Sequence, residues 1–226
     1  RQRQMCIRDR VYWDGEASDI SWPEPCIVEY VTNGQGGINS LSKGTIDAMM
    51  ADKNTSIYDL IGIGNIRKKY PPQTSTEKTV MQTVIGDMMS AYPSESYGII
   101  FGSHGSGWLP TITGTRSIGQ DGGRYSSDTA LIPELAEVLR TVNPQKFDFV
   151  LFDACMMGCA EVYYELKDAA RYCIASVLDI PAAGFPYASV MPYLYENAIK
   201  DYLGPICKDY IDYYNYIRGV KRNAIN

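Results

Sequence analysis

The chain carries a single histidine, His104, inside "FGSHGSGWLP" (residues 101–110), and one of its six cysteines, Cys155, stands in "FDACMMG". An imidazole titrates near neutral pH, and a thiol becomes a strong nucleophile once its proton is lost. Each residue follows a short apolar run, "YGIIFGS" (97–103) for His104 and "FDFVLFD" (147–153) for Cys155. A thiolate can attack an amide carbonyl while the imidazolium gives its proton to the departing amine, so this pair has the makings of acyl transfer through a thioester. Gly105, next to the histidine, offers an unobstructed backbone N–H. Together with the N–H of Cys155 it can hold the negative oxygen of a tetrahedral intermediate.

Two apolar runs must place these residues side by side. In a parallel α/β sheet, groups just beyond the carboxyl ends of the strands share one crevice, so residues distant in sequence meet there. The rest of the chain reads that way, with β-prone runs alternating with amphipathic helical patterns. "RVYWDG" and "PCIVEYVTNGQGG" read as strands entering turns. The steps of Val80, Met81, Val84, Ile85, Met88, Met89 and Tyr92 predict a helix over 77–92 capped by Thr76 or Ser75. "PELAEVLRTV" (133–142) opens with proline at a first helical turn. A helix is expected over 159–172, a strand over 173–178, and one or two helices over 187–218, broken at "LGP" (203–205). The stretch from Pro110 to Asp128 reads as a polar, glycine-containing loop. A helix starting near Gly158 would put Cys155 close to its N-terminal end, where backbone N–H groups favour a thiolate.

Composition narrows the class. The 226 residues suffice for one sizeable core, and 45% hydrophobic with 21% charged residues is ordinary for a globular chain. A net charge of -5 argues against a nucleic-acid partner, and the basic spot at Arg67, Lys68 and Lys69 reads as solvated surface. No apolar window is long enough to span a membrane. The cysteines are too irregular for a disulfide scaffold, and with one histidine and no C-x-x-C no zinc site can be assembled. Cys26, Cys173 and Cys207 lie in apolar patterns and read as core. The eighteen tyrosines suit amphipathic helices with wet rims and crowd the C-terminal third. "GSHGSG" lacks the Gly-Lys-Ser/Thr ending of a phosphate loop.

The separation 155 − 104 = 51 matches the spacing of about 50 residues between the catalytic His and Cys of caspases. "YGIIFGSHGSGWLP", "KFDFVLFDACMMGCAEVYYELKDAARYCIAS" and "AGFPY" together resemble the clostripain-like cysteine peptidases, from about Tyr92 to Tyr214. The resemblance implies a caspase/gingipain-type α/β three-layer sandwich, with a mostly parallel central sheet and helices on both faces. It implies a cysteine endopeptidase with His104 and Cys155 as catalytic dyad, Gly105 and Cys155 as oxyanion donors, and no obligatory third catalytic residue. It further implies that Asp153, with Asp179 and Ser176, contributes to substrate binding. Acidic groups there would favour cleavage after Arg or Lys, although Ala183 stands where relatives tend to place a further acid. Arg116 and Arg124, in the loop after the histidine, are candidate self-processing sites. The partner expected is a peptide or protein substrate, the protein is expected to be a monomer, and no cofactor is expected. Asp121 alone is weak support for the calcium that some relatives require. A secreted or cell-envelope bacterial protein is implied.

The residues depart from the family at the start. "RQRQMCIRDR" has no periodicity, and Met5–Arg10 resembles translated adapter sequence, so residues 1–10 are expected to be a non-native leader to a single peptidase domain over 11–226. "RVYWDG" then corresponds to the family's second strand, the first being expected to be missing, and such a chain alone should be poorly stable. Two other readings stand beside peptidase activity: a catalytically inactive homologue that binds peptides in the same cleft, and a thiol redox protein using Cys155 and Cys159.

Overall fold

A computed structural model of the chain describes residues 8–13, 24–31, 37–52, 54–107, 117–121, 128–181, 184–194 and 199–223. The chain divides into two compact units, residues 1–92 with 121–128, and residues 93–120 with 129–226.

The first unit is built on an antiparallel sheet of β1 (Arg8–Trp13), β2 (Cys26–Val31) and β3 (Asn65–Lys69), in the order β1-β2-β3. Arg8, Asp9 and Arg10 pair with Val31, Tyr30 and Glu29, so three residues of the expected leader lie in β1. Helices α1 (Lys43–Ala51), α2 (Ile57–Gly62) and α3 (Lys78–Ala91) complete this unit. The predicted helix over 77–92 forms as α3, but its N-cap is Glu77, with no side-chain cap bond, and neither Thr76 nor Ser75 caps it. The basic spot lies on β3, which is exposed throughout. Its three cations are paired: Arg67 with Glu29, Lys68 with Asp87 and Lys69 with Glu24. Charged side chains along an edge strand discourage pairing with another chain.

The second unit holds the parallel sheet that the apolar runs call for. Its strands are β4 (Gly98–Gly102), β7 (Phe147–Asp153) and β8 (Ala170–Ile174), in the order β4-β7-β8. Between β4 and β7 the chain forms β5 (Ser117–Asp121), β6 (Asp128–Leu131) and helix α4 (Ile132–Val142). The stretch read as a loop thus contains a two-stranded β5-β6 sheet. Arg116 and Arg124 lie outside the described residues, as do Ala183 and the turn after β2.

Central strand β7 is buried on both faces, as a parallel sheet covered by helices requires. Phe149 and Leu151 point to one side and Val150 and Phe152 to the other, all of them buried. Phe149 and Leu151 pack with Ile174, Phe185, Val190 and Ile206, which brings α6 (Tyr187–Leu194) and α7 (Ile199–Asn223) onto that face. The fold class expected from the sequence is therefore the one observed: mixed α/β with a parallel sheet.

Three boundaries differ from expectation. Helix α5 spans only Ala160–Leu166, and β8 begins at Ala170 instead of Cys173. Pairing decides this: Ala170, Tyr172, Cys173 and Ile174 lie in register with Phe147, Phe149, Val150 and Leu151 of β7. Helix α7 does not break at Leu203-Gly204-Pro205 but runs through Pro205. Proline inside a helix removes one backbone bond and costs about 3 kcal/mol. Burial of Ile206, with Leu203 and Tyr210 against the same core, offsets that loss. Finally, Cys207 on α7 is exposed rather than core, because it falls on the outward side of that helix.

Candidate active site

β4 and β7 are parallel neighbours in register, with Gly102 opposite Asp153. His104 stands two residues past Gly102 and Cys155 two residues past Asp153, so both leave the sheet at the same edge. The ladder continues one step beyond the strands, where Ser103 N–H donates to the Asp153 carbonyl at 3.2 Å. The two loops then touch. A β-carbon on Gly105 would lie 2.6 Å from the carbonyl oxygen of Cys155 and 3.1 Å from the Ala154 β-carbon. Only glycine allows that approach. His104 is exposed and Cys155 half-buried.

The backbone around Gly105 is fixed by its pairing with β5. Gly105 forms an isolated antiparallel bridge with Ile118, held by Gly119 N–H to the His104 carbonyl (2.9 Å) and Ser106 N–H to the Ser117 carbonyl (3.1 Å). In such a pair the central residue turns its own N–H away from the partner strand. The Gly105 N–H therefore points away from β5, and among the described residues neither it nor the Cys155 N–H has a protein acceptor.

What surrounds the sulfur differs from expectation. Cys155 does not sit at a helix N-terminus: the N-cap of α5 is Cys159, and the intervening residues form an irregular turn with Met156 at a φ of 57°. That left-handed conformation is strained for a side-chain-bearing residue. It lets Met156 N–H donate to the Leu178 carbonyl (3.2 Å), while Gly158 N–H donates to the Ser176 carbonyl (2.8 Å). The donor at the sulfur is the main-chain N–H of Ile180, 3.3 Å from Cys155 Sγ. Nothing in the sequence marks this group, since any residue but proline supplies it.

Asp153 is half-buried and its Oδ2 accepts from Phe185 N–H (3.2 Å) and from the Tyr187 hydroxyl (2.7 Å). Burial, and then the bond to Asp153, raise the Tyr187 hydroxyl above the ordinary phenol range. Gly184 has a φ of 66°, and a β-carbon there would lie 2.5 Å from Asp153 Oδ2. Its carbonyl accepts from the Tyr214 hydroxyl on α7 at 2.5 Å. The C-terminal tyrosines thus lash the Gly184–Tyr187 segment around the carboxylate, with Phe185 and Tyr210 ring centroids 4.7 Å apart. Tyr187 closes the "AGFPY" stretch in sequence, yet only the fold gives it this role.

Ser176 and Asp179 flank the same segment. Ser176 Oγ accepts from Leu178 N–H at 3.1 Å, which shapes the turn, and the Asp179 side chain is exposed.

A sequence model of the clostripain family (peptidase C11) matches residues 34–222. The chain belongs to the clostripain family. Among solved structures it is similar to a secreted C11 cysteine protease from Bacteroides thetaiotaomicron in complex with an irreversible peptide inhibitor. The identity there is 32%, over 92% of this chain and 48% of that one, with a TM-score of 0.66. An inactive zymogen C11 protease from Parabacteroides distasonis matches at 26% identity over 84% of this chain and 44% of that one, with a TM-score of 0.61. A further secreted C11 protease of Bacteroides thetaiotaomicron, at 22% identity over 76% of this chain and 44% of that one (TM-score 0.52), shares the fold. The chain spans about half the length of these solved relatives. No curated protein matches.

The cysteines of this clostripain-family chain divide by environment among the described residues. Cys26, Cys155, Cys159, Cys173 and Cys207 are all free thiols. Burial pushes the Cys173 thiol up to about 12. The unfolded chain ionises this residue near 9, so its burial as a neutral thiol contributes stability below that pH and loses it as pH rises from 9 towards 12. Burial raises the Cys207 thiol as well, but that residue is exposed, so iodoacetamide at pH 8 should label Cys207 faster than Cys173, which peptide mapping by mass spectrometry would check.

Proposed function

We propose that this chain is the peptidase domain of a cysteine endopeptidase in which Cys155 is the nucleophile and His104 the proton carrier. The observation that carries the reading is the parallel register of Gly102 with Asp153, which brings both residues out at neighbouring strand ends with their loops in contact. Cys155 Sγ, as thiolate, attacks the scissile carbonyl carbon, forming a carbon–sulfur bond and placing the negative charge on the carbonyl oxygen. The Gly105 and Cys155 N–H groups receive that oxygen. Collapse breaks the carbon–nitrogen bond, and the amine leaves with the proton from His104. Water, deprotonated by His104, then cleaves the thioester and restores the thiol.

Cleavage after Arg or Lys is the specificity that the acids support. Oδ2 of Asp153 is occupied by two protein donors, and its Oδ1 has none among the described residues. That oxygen keeps the capacity to accept from a cationic side chain, and the exposed Asp179 adds negative charge to the same stretch of chain. Secretion by a bacterial cell is proposed from the description of a relative as secreted.

The test is labelling by a peptide acyloxymethyl ketone, combined with turnover of fluorogenic peptides ending in Arg, Lys, Ala or Leu. Labelling that depends on Cys155 and His104, with the basic peptides preferred at least tenfold, is the expected result. Equal turnover of all four peptides would remove the basic preference. Peptide binding without labelling would identify a binding-only homologue.

A further inference from the structure

We propose that the main-chain N–H of Ile180 is a third, fixed member of the site, a hydrogen-bond donor that orients the Cys155 sulfur and receives the negative charge it carries when it attacks. The proposal rests on Cys155 being the nucleophile. Ile180 embraces the sulfur with both of its main-chain groups: its N–H donates to Sγ at 3.3 Å, and Sγ lies 3.8 Å from its carbonyl oxygen. The two contacts answer to opposite states. A thiol can donate weakly to the carbonyl, whereas a thiolate can only accept. Loss of the proton therefore ends the attraction to the carbonyl and converts the N–H contact into a charge-assisted bond, of roughly twice the strength of a neutral one.

The donor is held in place before any substrate arrives. The Ile180 side chain packs against the core formed by Phe149, Leu151, Ile174 and Phe185. On one side, the bonds from Met156 to Leu178 and from Gly158 to Ser176 tie its segment to the turn that carries Cys155. On the other, Gly184 N–H donates to the Pro181 carbonyl at 2.8 Å. A donor fixed by packing needs no reorganisation when charge appears at the sulfur, which is what makes such groups effective. The helix that would ordinarily serve this purpose begins only after Cys159, and the N–H groups of Met156 and Gly158 are already engaged. Ile180 thus supplies from across the site what the local turn does not.

The decisive experiment replaces the amide of residue 180 by an ester in the full-length chain, keeping the isoleucine side chain and deleting one N–H. Alkylation of Cys155 by iodoacetamide at pH 7, followed by mass spectrometry, should slow about tenfold, and kcat should fall with KM unchanged. An ester variant with unchanged melting temperature and wild-type alkylation would overturn the proposal. A second measurement needs no altered backbone: in 15N-isoleucine-labelled protein, the Ile180 amide proton should shift upfield when Cys155 is replaced by alanine. An unmoved resonance would also overturn it. Hydrolysis surviving in Cys155→Ala would instead defeat the nucleophile assignment, leaving the contact itself to be judged by the resonance.

Discussion

Cys155→Ala is expected to lower peptide hydrolysis by on the order of 10⁴- to 10⁶-fold and to abolish labelling by a peptide acyloxymethyl ketone. No neighbour can replace the lost sulfur. Cys159, the nearest in sequence, caps helix α5 beyond the turn that presents Cys155. His104→Ala should lower kcat by a comparable factor yet leave Cys155 slowly reactive towards iodoacetamide, because alkylation needs a thiolate but no departing amine to protonate. This difference separates the two roles. Both are read from purified variants whose melting temperatures match the wild type. Hydrolysis within tenfold of wild type in Cys155→Ala would end the peptidase reading of this residue, whatever the family.

Gly105→Val is expected to reduce kcat about a hundredfold, since a displacement of about 1 Å at a reacting centre costs that much. The first added carbon would fall 2.6 Å from the Cys155 carbonyl and 3.0 Å from Met157 Sδ. The thioether can swing aside; the carbonyl belongs to the backbone and cannot. Gly105 is absent from the glycines with positive φ, so valine meets no dihedral penalty of the left-handed kind, and the loss reports the lost approach between the two loops. The same change would move the Gly105 N–H from the place proposed for the oxyanion. Binding of a peptide aldehyde, which forms a tetrahedral adduct, should weaken alongside kcat. Wild-type turnover in Gly105→Val would show that the two loops need not touch for catalysis.

The strand ends that carry His104 and Cys155 were legible in the sequence because their signals are local. An apolar β-prone run followed by a glycine-flanked histidine, and a second such run followed by cysteine, mark strand ends whatever surrounds them. The α/β class, the identity of β4 and β7, and helices α3 and α4 follow from periodicities within single segments. Where two local patterns compete, the sequence misplaces the boundary. The run from Cys159 to Tyr172 has helical periodicity throughout, yet hydrogen bonding to β7 converts Ala170–Ile174 into a strand. Pro205 is a local breaker overruled by the apolar packing of Leu203, Ile206 and Tyr210 on the same helix.

By itself, then, the amino-acid order determined which elements form around the two reactive side chains and which family they resemble. Tertiary structure alone decided what stands against those side chains. The Ile180 donor at the sulfur, the strained Met156, and the Tyr187 and Tyr214 hydroxyls around Asp153 and Gly184 belong to segments up to 61 residues apart, Tyr214 and Asp153 being the extremes (214 − 153 = 61). The physical reason is that a main-chain N–H or a tyrosine hydroxyl has the same chemistry wherever it occurs. Its partner is set by the register of β4, β7 and β8 and by the docking of α7, and these arise from many weak contacts distributed over the chain rather than from any one stretch of it.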